Sequence, residues 1–307
     1  MKRWPVAAAG LLVFGATLVG APAAALAGWR AAFVALGVVP VGAVTLLLIA
    51  RLTGAAWDAA LQPLLRPLPW LLPAFVPVVI HQALVVPRPA HLAVWLSWPA
   101  FLLRGLVAIG LWWGLGRLVR QGGPSPLVAG LGLVAHGIVL TIVGTDWLLG
   151  SSPGQPQSAI AMVMTTMALL GACGSACLLR LGPDRARRDL SFLLLAAALG
   201  LAYLLFMDFL IVWFGNLPTR VGWYVTRTRF PWVALPTVAL LVGLFGPILG
   251  IGLVRTDRGR QAAGAGALLA LLAVGLWFCG PPAAGWAILA AIGAAVLGAS
   301  AAPEQPA

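Results

Sequence analysis

The chain has 307 residues and a mean hydropathy of +1.02; 62% of its residues are hydrophobic, 19 are basic and seven are acidic. A soluble globular protein carries a charge on about a quarter of its residues, so this composition excludes an ordinary soluble domain. The net charge of +12 does not indicate a nucleic-acid partner. The basic residues are scattered at the ends of apolar runs, where they report membrane topology instead.

Ten apolar runs, bounded by Arg, Pro or Gly, have the length of a membrane-spanning helix, which takes about 20 residues. They predict an all-α integral membrane protein with about ten transmembrane helices in a single polytopic domain, residues 1–307. The runs fall at approximately 6–27, 29–50, 69–86, 95–119, 126–149, 158–180, 190–214, 232–254, 262–280 and 283–301.

The first run has two interpretations. Lys2 and Arg3 precede it, and Ala25-Leu26-Ala27 ends it, as in a cleavable signal peptide. We favour a retained first span, because the next apolar run begins at once and would close a tight hairpin.

The basic residues separate as the positive-inside rule requires. With the N-terminus inside, thirteen lie on the cytoplasmic side and five outside, while Arg104 lies within a span. The inner set is Lys2, Arg3, Arg51, Arg66, Arg117, Arg120, Arg180, Arg185, Arg187, Arg188, Arg255, Arg258 and Arg260; the outer set is Arg30, Arg88, Arg220, Arg227 and Arg229. We therefore expect both termini in the cytoplasm. The longer connections are 51–68, expected to hold a short interfacial helix, and 215–231 outside.

Five ionisable side chains within the predicted spans are candidate functional residues, because burying such a group in hydrocarbon is costly. They are His81, Arg104, His136, Asp146 and Asp208. All but His136 fall in the outer half of the membrane, which would suit a quinone headgroup pocket or a proton half-channel. Asp208 is the sharpest candidate because its neighbours in sequence are apolar.

Simpler interpretations stay open for three of the other residues. Arg104 could neutralise Asp146 or Asp208 and only specify helix packing. Asp146 could be an interfacial acid, and His136 a hydrogen-bonded core histidine.

The sequence predicts no metal site. Cys173, Cys177 and Cys279 form no CxxC pair. A membrane haem needs two facing axial histidines, and His81 and His136 lie at different predicted depths. We therefore expect no covalently bound cofactor. No constellation resembles a hydrolytic site.

Four stretches carry a resemblance to a known family: Arg51 to Trp57 (RLTGAAW), Thr145 to Leu148 (TDWL), Phe206 to Pro218 (FMDFLIVWFGNLP), and Trp232 to Arg255. In order and spacing, over roughly residues 1–260, the chain resembles the second quinone-binding-type membrane subunit of alternative complex III. That complex is a bacterial quinol:cytochrome c oxidoreductase, and the subunit belongs to the polysulfide-reductase membrane-anchor family. The resemblance is to a divergent member, with Asp208 where the family usually has Gln, and Thr219 and Arg220 in place of an acidic pair.

The resemblance implies two four-helix bundles with flanking helices, in the bacterial inner membrane. It implies a sister membrane-anchor subunit, with haem and iron–sulfur centres held only by multihaem cytochrome and iron–sulfur partners. Asp146 corresponds to the family's acid at the end of span 5, and Asp208 corresponds in position only. Candidate proton or quinone contacts are thus Asp146, Asp208 and His136, with His81 and Arg104 near a quinone site.

Three functions compete at this point. The first is a membrane subunit of a quinol-oxidising respiratory complex, contributing structure and, as candidates, a quinone contact or proton path; it would not be catalytic alone. The second is a self-sufficient transporter, which should have broken helices in two repeated halves; no convincing repeat is visible. The third is a purely structural assembly subunit, in which every intramembrane charge could be substituted.

Overall fold

A computed structural model describes residues 4–68, 75, 76, 79, 80, 83, 93–149 and 157–279. This part of the chain is almost entirely helical and has no β-strand. Seven of its helices are long and apolar enough to cross a membrane: Ala27–Thr53, Trp98–Arg120, Pro126–Leu148, Ile160–Leu178, Asp184–Phe214, Ala234–Val254 and Asp257–Cys279. The all-α, multi-pass membrane class is thereby confirmed. The count of ten spans stays a prediction, since 283–301 and most of 69–86 lie outside the described residues.

The N-terminal region differs from the predicted hairpin. Helix α1 (Trp4–Gly20) is followed by α2 (Pro22–Ala32), which continues through a π-helical turn (Phe33–Gly37) into α3 (Val38–Thr53). The turn expected between residues 27 and 29 therefore lies inside a helix, and the break falls at Ala21. Proline disfavours helical geometry in the residue before it and fits the first position of a new helix; Pro22 explains the position of the break.

The next elements follow a short connection. Helix α4 (Asp58–Leu61) and a 3₁₀ turn (Gln62–Leu65) occupy the 51–68 segment, as expected of a short helix there. Helix α5 is Trp98–Arg120, and α6 (Pro126–Val143) ends in a π-helical turn, Gly144–Leu148. Helix α7 is Ile160–Leu178 and α8 is Asp184–Phe214.

The last part of the described chain contains three more helices. Helix α9 (Pro218–Arg227) lies in the 215–231 connection, where the sequence predicted no helix. Helix α10 (Ala234–Leu240) continues through π-helical segments Leu241–Phe245 and Ile248–Val254, on either side of Pro247. Helix α11 is Asp257–Cys279.

Helix α7 lies at the centre of the bundle, with its most extensive contacts to α3, α8 and α11. Small residues allow these contacts. A Cβ atom on Gly42 of α3 would overlap the carbonyl of Ala168, and one on Gly264 of α11 would overlap the carbonyl of Gly174. Close approach of backbones is the usual source of helix association in lipid, where apolar surface alone gives little net attraction.

The two ends of the bundle differ in charge. At one end, which we call the Arg180 end, the guanidinium of Arg180 pairs with Asp257 at 2.9 Å and Arg51 Nε donates to the carbonyl of Pro124 at 2.8 Å. The opposite end, which we call the Asp208 end, contains Asp208. Among the described residues, the Arg180 end holds eleven arginines: Arg51, Arg66, Arg117, Arg120, Arg180, Arg185, Arg187, Arg188, Arg255, Arg258 and Arg260. Which end faces the cytoplasm stays a prediction.

We expect Gly42→Ala to destabilise the protein by about 1–3 kcal/mol, because the new methyl group would force α3 and α7 apart. Thermal unfolding of the detergent-solubilised chain measures the effect. Gly110→Ala in α5 is the matched control, since no atom lies within 4 Å of the Cβ that it would add. Equal melting temperatures for the two variants would contradict the packing argument.

Candidate functional site

Asp146 lies in the π-helical turn after α6 and is 4% exposed. Arg104 of α5 satisfies it, with Nε donating to Oδ2 at 2.7 Å. The same guanidinium donates from Nη1 to the carbonyl of Trp95 and lies over the Trp95 ring, 4.3 Å from its centroid. The simpler interpretation of Arg104, that it neutralises a buried acid, therefore agrees with this geometry. The partner is Asp146.

We expect Arg104→Gln to destabilise the protein by about 3 kcal/mol or more, because it leaves the Asp146 charge buried without a counter-ion. The double variant Arg104→Leu/Asp146→Leu removes both charges and should recover most of that loss. Thermal unfolding of the single and double variants measures the coupling. A double variant as unstable as the single one would contradict a pairing role.

His136 lies on α6, is 3% exposed and has a partner at each ring nitrogen. Trp112 Nε1 donates to Nδ1 at 2.9 Å, and Nε2 lies 2.9 Å from the hydroxyl of Thr45. Since the indole N–H can only donate, Nδ1 must accept and Nε2 carries the proton. The Thr45 hydroxyl then accepts from His136 and donates to the carbonyl of Val41 at 3.0 Å. This chain of hydrogen bonds fixes one neutral tautomer, which is the geometry of a structural core histidine.

We expect Trp112→Phe to cost about 1–3 kcal/mol of stability, because it leaves a buried acceptor on His136 unsatisfied. Trp113→Phe is the matched control: Trp113 is adjacent in sequence but 37% exposed, and its indole is not part of the network. Chemical or thermal unfolding would distinguish the two. Equal losses would indicate that ring size, and not the hydrogen bond, determines the effect.

Asp208 lies on α8 and is 4% exposed. No arginine forms an ion pair with it within the described residues, although the charge of Arg220 acts on it from beyond ion-pair distance. Instead the hydroxyl of Tyr224 donates to Oδ2 at 2.9 Å, and the backbone N–H of Ser158 donates to Oδ1 at 3.3 Å. Burial, together with the nearby Asp208 carboxylate, raises the pKa of Tyr224, so the phenol keeps its proton. Asp208 thus has two neutral donors, unlike Asp146 with its cation.

Helix α9 brings Tyr224 to this carboxylate and is held across the end of the bundle by Arg227. The Arg227 Nε donates to the carbonyl of Trp277 at 3.0 Å, and its guanidinium lies 4.0 Å from the centroid of the Trp223 ring. The rings of Trp223 and Trp277 are in edge contact, 4.8 Å between centroids. These contacts join α9 to the end of α11.

A cavity of about 290 Å³ lies beside the Tyr224 side chain. Its walls come from α7, α8, α11 and the helix that begins with α10, and they are almost entirely apolar. Among its lining residues, Tyr224 and Trp277 are the two whose side chains contain a polar atom. Trp277 Nε1 is buried and has no hydrogen-bond partner within the described part of the chain. The cavity therefore has an apolar body, with the Tyr224 phenol and the Trp277 indole as the polar-bearing groups of its wall.

The predicted site residues are thus brought together only in part. Asp146 and Asp208 share one end of the bundle with Arg104, whereas His136 belongs to its own network, and His81 lies outside the described residues. The sequence reasoning missed Tyr224 and Trp277. Tyr224 could have been found from the sequence, because the chain has only two tyrosines and Tyr224 follows Asp208 after one short connection.

Comparison with known proteins adds no identification, because no protein-family model and no curated protein matches the chain. Within the described residues, no group of three His, Cys, Asp or Glu side chains could hold a metal ion.

Proposed function

We propose that the protein is a membrane subunit of a quinol-oxidising electron-transfer complex and that it contributes a quinone contact at Tyr224, with Asp208 as the proton acceptor behind it. The observation that carries this proposal is the apolar cavity with Tyr224 on its wall and Asp208 directly behind the phenol. The resemblance of four sequence stretches to a respiratory membrane anchor gives the class of ligand.

The cavity has the polarity of a quinone site. An isoprenoid quinone has a long apolar tail and a ring whose two oxygens need hydrogen-bond partners. The apolar wall, formed by residues such as Leu201, Phe206 and Leu244, suits the tail. The hydroxyl of Tyr224 can contact one ring oxygen, and the Trp277 indole, whose N–H has no partner among the described residues, lies in the same wall. Apolar pockets with a few convergent polar groups are typical small-molecule sites.

The Tyr224–Asp208 pair supplies a route for a proton. The Tyr224 oxygen can accept from a quinol hydroxyl while its own proton is directed at Asp208 Oδ2, 2.9 Å away. Oxidation of quinol to quinone releases two protons and two electrons. In this proposal Asp208 takes up one proton through Tyr224, and the second proton is released to water at the Asp208 end of the bundle. The two electrons pass to redox centres of partner subunits, which are multihaem cytochrome and iron–sulfur proteins. A sister membrane anchor completes the membrane part.

The other polar groups have supporting roles in this proposal. Asp146 forms an ion pair with Arg104, and both ring nitrogens of His136 are engaged in the neutral hydrogen-bond chain. Asp208 is thus the buried carboxylate whose hydrogen-bond donors are all neutral within the described residues, so it is the group best placed to exchange a proton.

We expect Asp208→Asn to lower quinol oxidation by about 10²-fold, since a positioned proton acceptor contributes rate factors of that size. Tyr224→Phe should lower it by a similar factor, because it removes the hydroxyl through which the proton moves. Tyr203→Phe is the matched control, since Tyr203 is 62% exposed. The assay is quinol-dependent turnover of the complex purified in mild detergent, with partners identified by mass spectrometry and haem absorbance.

The outcomes separate the competing functions. Assembled complexes of Asp208→Asn and Tyr224→Phe that turn over like Tyr203→Phe would contradict the quinone contact and leave a structural assembly role. A protein that purifies alone and colourless would contradict the respiratory assignment itself. Transport assays in liposomes would then take priority.

A further inference from the structure

A second cavity, of about 250 Å³, lies at the Arg180 end of the bundle. The cavity beside Tyr224 lies toward the opposite end. Its walls come from the end of α3, the start of α4, the end of α5 and the connection from α5 to α6. Unlike the first cavity, it has charged side chains on its wall: Arg51 and Asp58. Since α3 and α5 are membrane-spanning and end here, this cavity lies at the level where lipid headgroups are found.

Arg51 is held in place but keeps its charge available. Its Nε donates to the carbonyl of Pro124 at 2.8 Å, which fixes the guanidinium against the α5–α6 connection. Its terminal nitrogens have no partner within the described residues, and the side chain is exposed. A guanidinium with free terminal donors is a typical phosphate-binding group.

Asp58 supplies the opposite charge in the same cavity. It is exposed at the first position of α4 and has no side-chain hydrogen bond or ion pair to any described residue. In particular, Arg51 and Asp58 do not form an ion pair with each other, although both line one cavity. The C-terminal ends of α3 and α5, which carry partial negative charge, also meet at this site.

The backbone around the cavity leaves room for a ligand. Gly54, Gly122 and Gly123 all adopt positive φ angles, of 72°, 101° and 84°. Gly54 and Gly122 have no atom within 4 Å of the position of a Cβ. The turns that form the cavity thus bring bare backbone to the wall that also carries the two charged side chains.

We infer that this cavity binds a zwitterionic phosphoethanolamine group, with the phosphate at Arg51 and the ammonium at Asp58. A purely anionic group would meet the Asp58 carboxylate, and a purely cationic group would meet the Arg51 guanidinium. A group that carries both charges fills the gap between them and satisfies each. Because the cavity is at headgroup level, the source is the membrane lipid phosphatidylethanolamine. The inference does not depend on the proposed quinone contact.

The experiment measures lipid binding to the purified full chain by native mass spectrometry, with phosphatidylethanolamine, phosphatidylcholine and phosphatidylglycerol each titrated in turn. Phosphatidylethanolamine should bind most tightly, because the trimethylated ammonium of phosphatidylcholine has no N–H to donate to Asp58. Asp58→Asn should weaken binding of phosphatidylethanolamine by roughly three- to ten-fold and leave phosphatidylglycerol unchanged or tighter. Arg51→Gln should weaken both lipids, because each has a phosphate.

Matched controls come from the same end of the molecule. Arg66→Gln and Asp189→Asn remove one charge of each sign from exposed residues that do not line the cavity. Arg51→Gln also removes the hydrogen bond to Pro124, so a loss of folding is monitored by thermal unfolding. Asp58→Asn removes no hydrogen bond between described residues and tests the inference even where the Arg51 variant does not fold.

Three results would overturn the inference. The first is a wild-type protein that binds the three lipids equally. The second is an Asp58→Asn variant with the lipid selectivity of Asp189→Asn. The third is competition by soluble phosphoethanolamine at the affinity of the whole lipid, which would make the ligand a free metabolite and not a lipid. A headgroup preference that Asp58→Asn abolishes supports the lipid site.

Discussion

The structure depends on close backbone contact around α7. In lipid, apolar side chains gain little by leaving the surrounding hydrocarbon, so helices associate where their backbones can approach. The overlaps that a methyl group would create at Gly42 and Gly264 mark these points of approach on α3 and α11. Once these helices are fixed against α7, their ends are fixed as well, and the polar groups at the two ends take up defined positions.

The same environment explains why the two carboxylates at the Asp208 end differ. A buried charge must be neutralised or hydrogen-bonded within the protein. Asp146 is satisfied by a cation that is itself held by the Trp95 carbonyl and ring, so the pair is closed. Asp208 is satisfied by a phenol and a backbone amide, neither of which brings a charge. A carboxylate with neutral donors can change its protonation state without leaving a buried cation unpaired.

The fold class could be predicted from the sequence because the apolar runs are long and nearly free of charge. The position of the first break could not be read from hydropathy, because the apolar character continues across it. Pro22 sets the break at Ala21, and Gly28 remains helical. The helix at Pro218–Arg227 was missed for the opposite reason: its sequence is polar on one face and too short for a span.

Among the site residues, the sequence indicated which groups are buried but not which groups meet. Arg104 and Asp146 lie 42 residues apart, and their pairing was one of two open alternatives. The Trp112–His136–Thr45 chain joins three helices, and no local pattern predicts such contacts. Tyr224 reaches Asp208 because α9 turns back across the bundle end, which is a property of the tertiary structure.

The position of α9 has a mechanical consequence for Asp208. Tyr224 and the anchoring Arg227 are on the same short helix, one turn apart, while the acceptors of their hydrogen bonds belong to α8 and α11. Movement of α9 away from the bundle would therefore break both bonds together and leave Asp208 with the Ser158 amide alone. A protein that docks on this face and moves α9 would thus change the hydrogen bonding of a carboxylate that it does not contact.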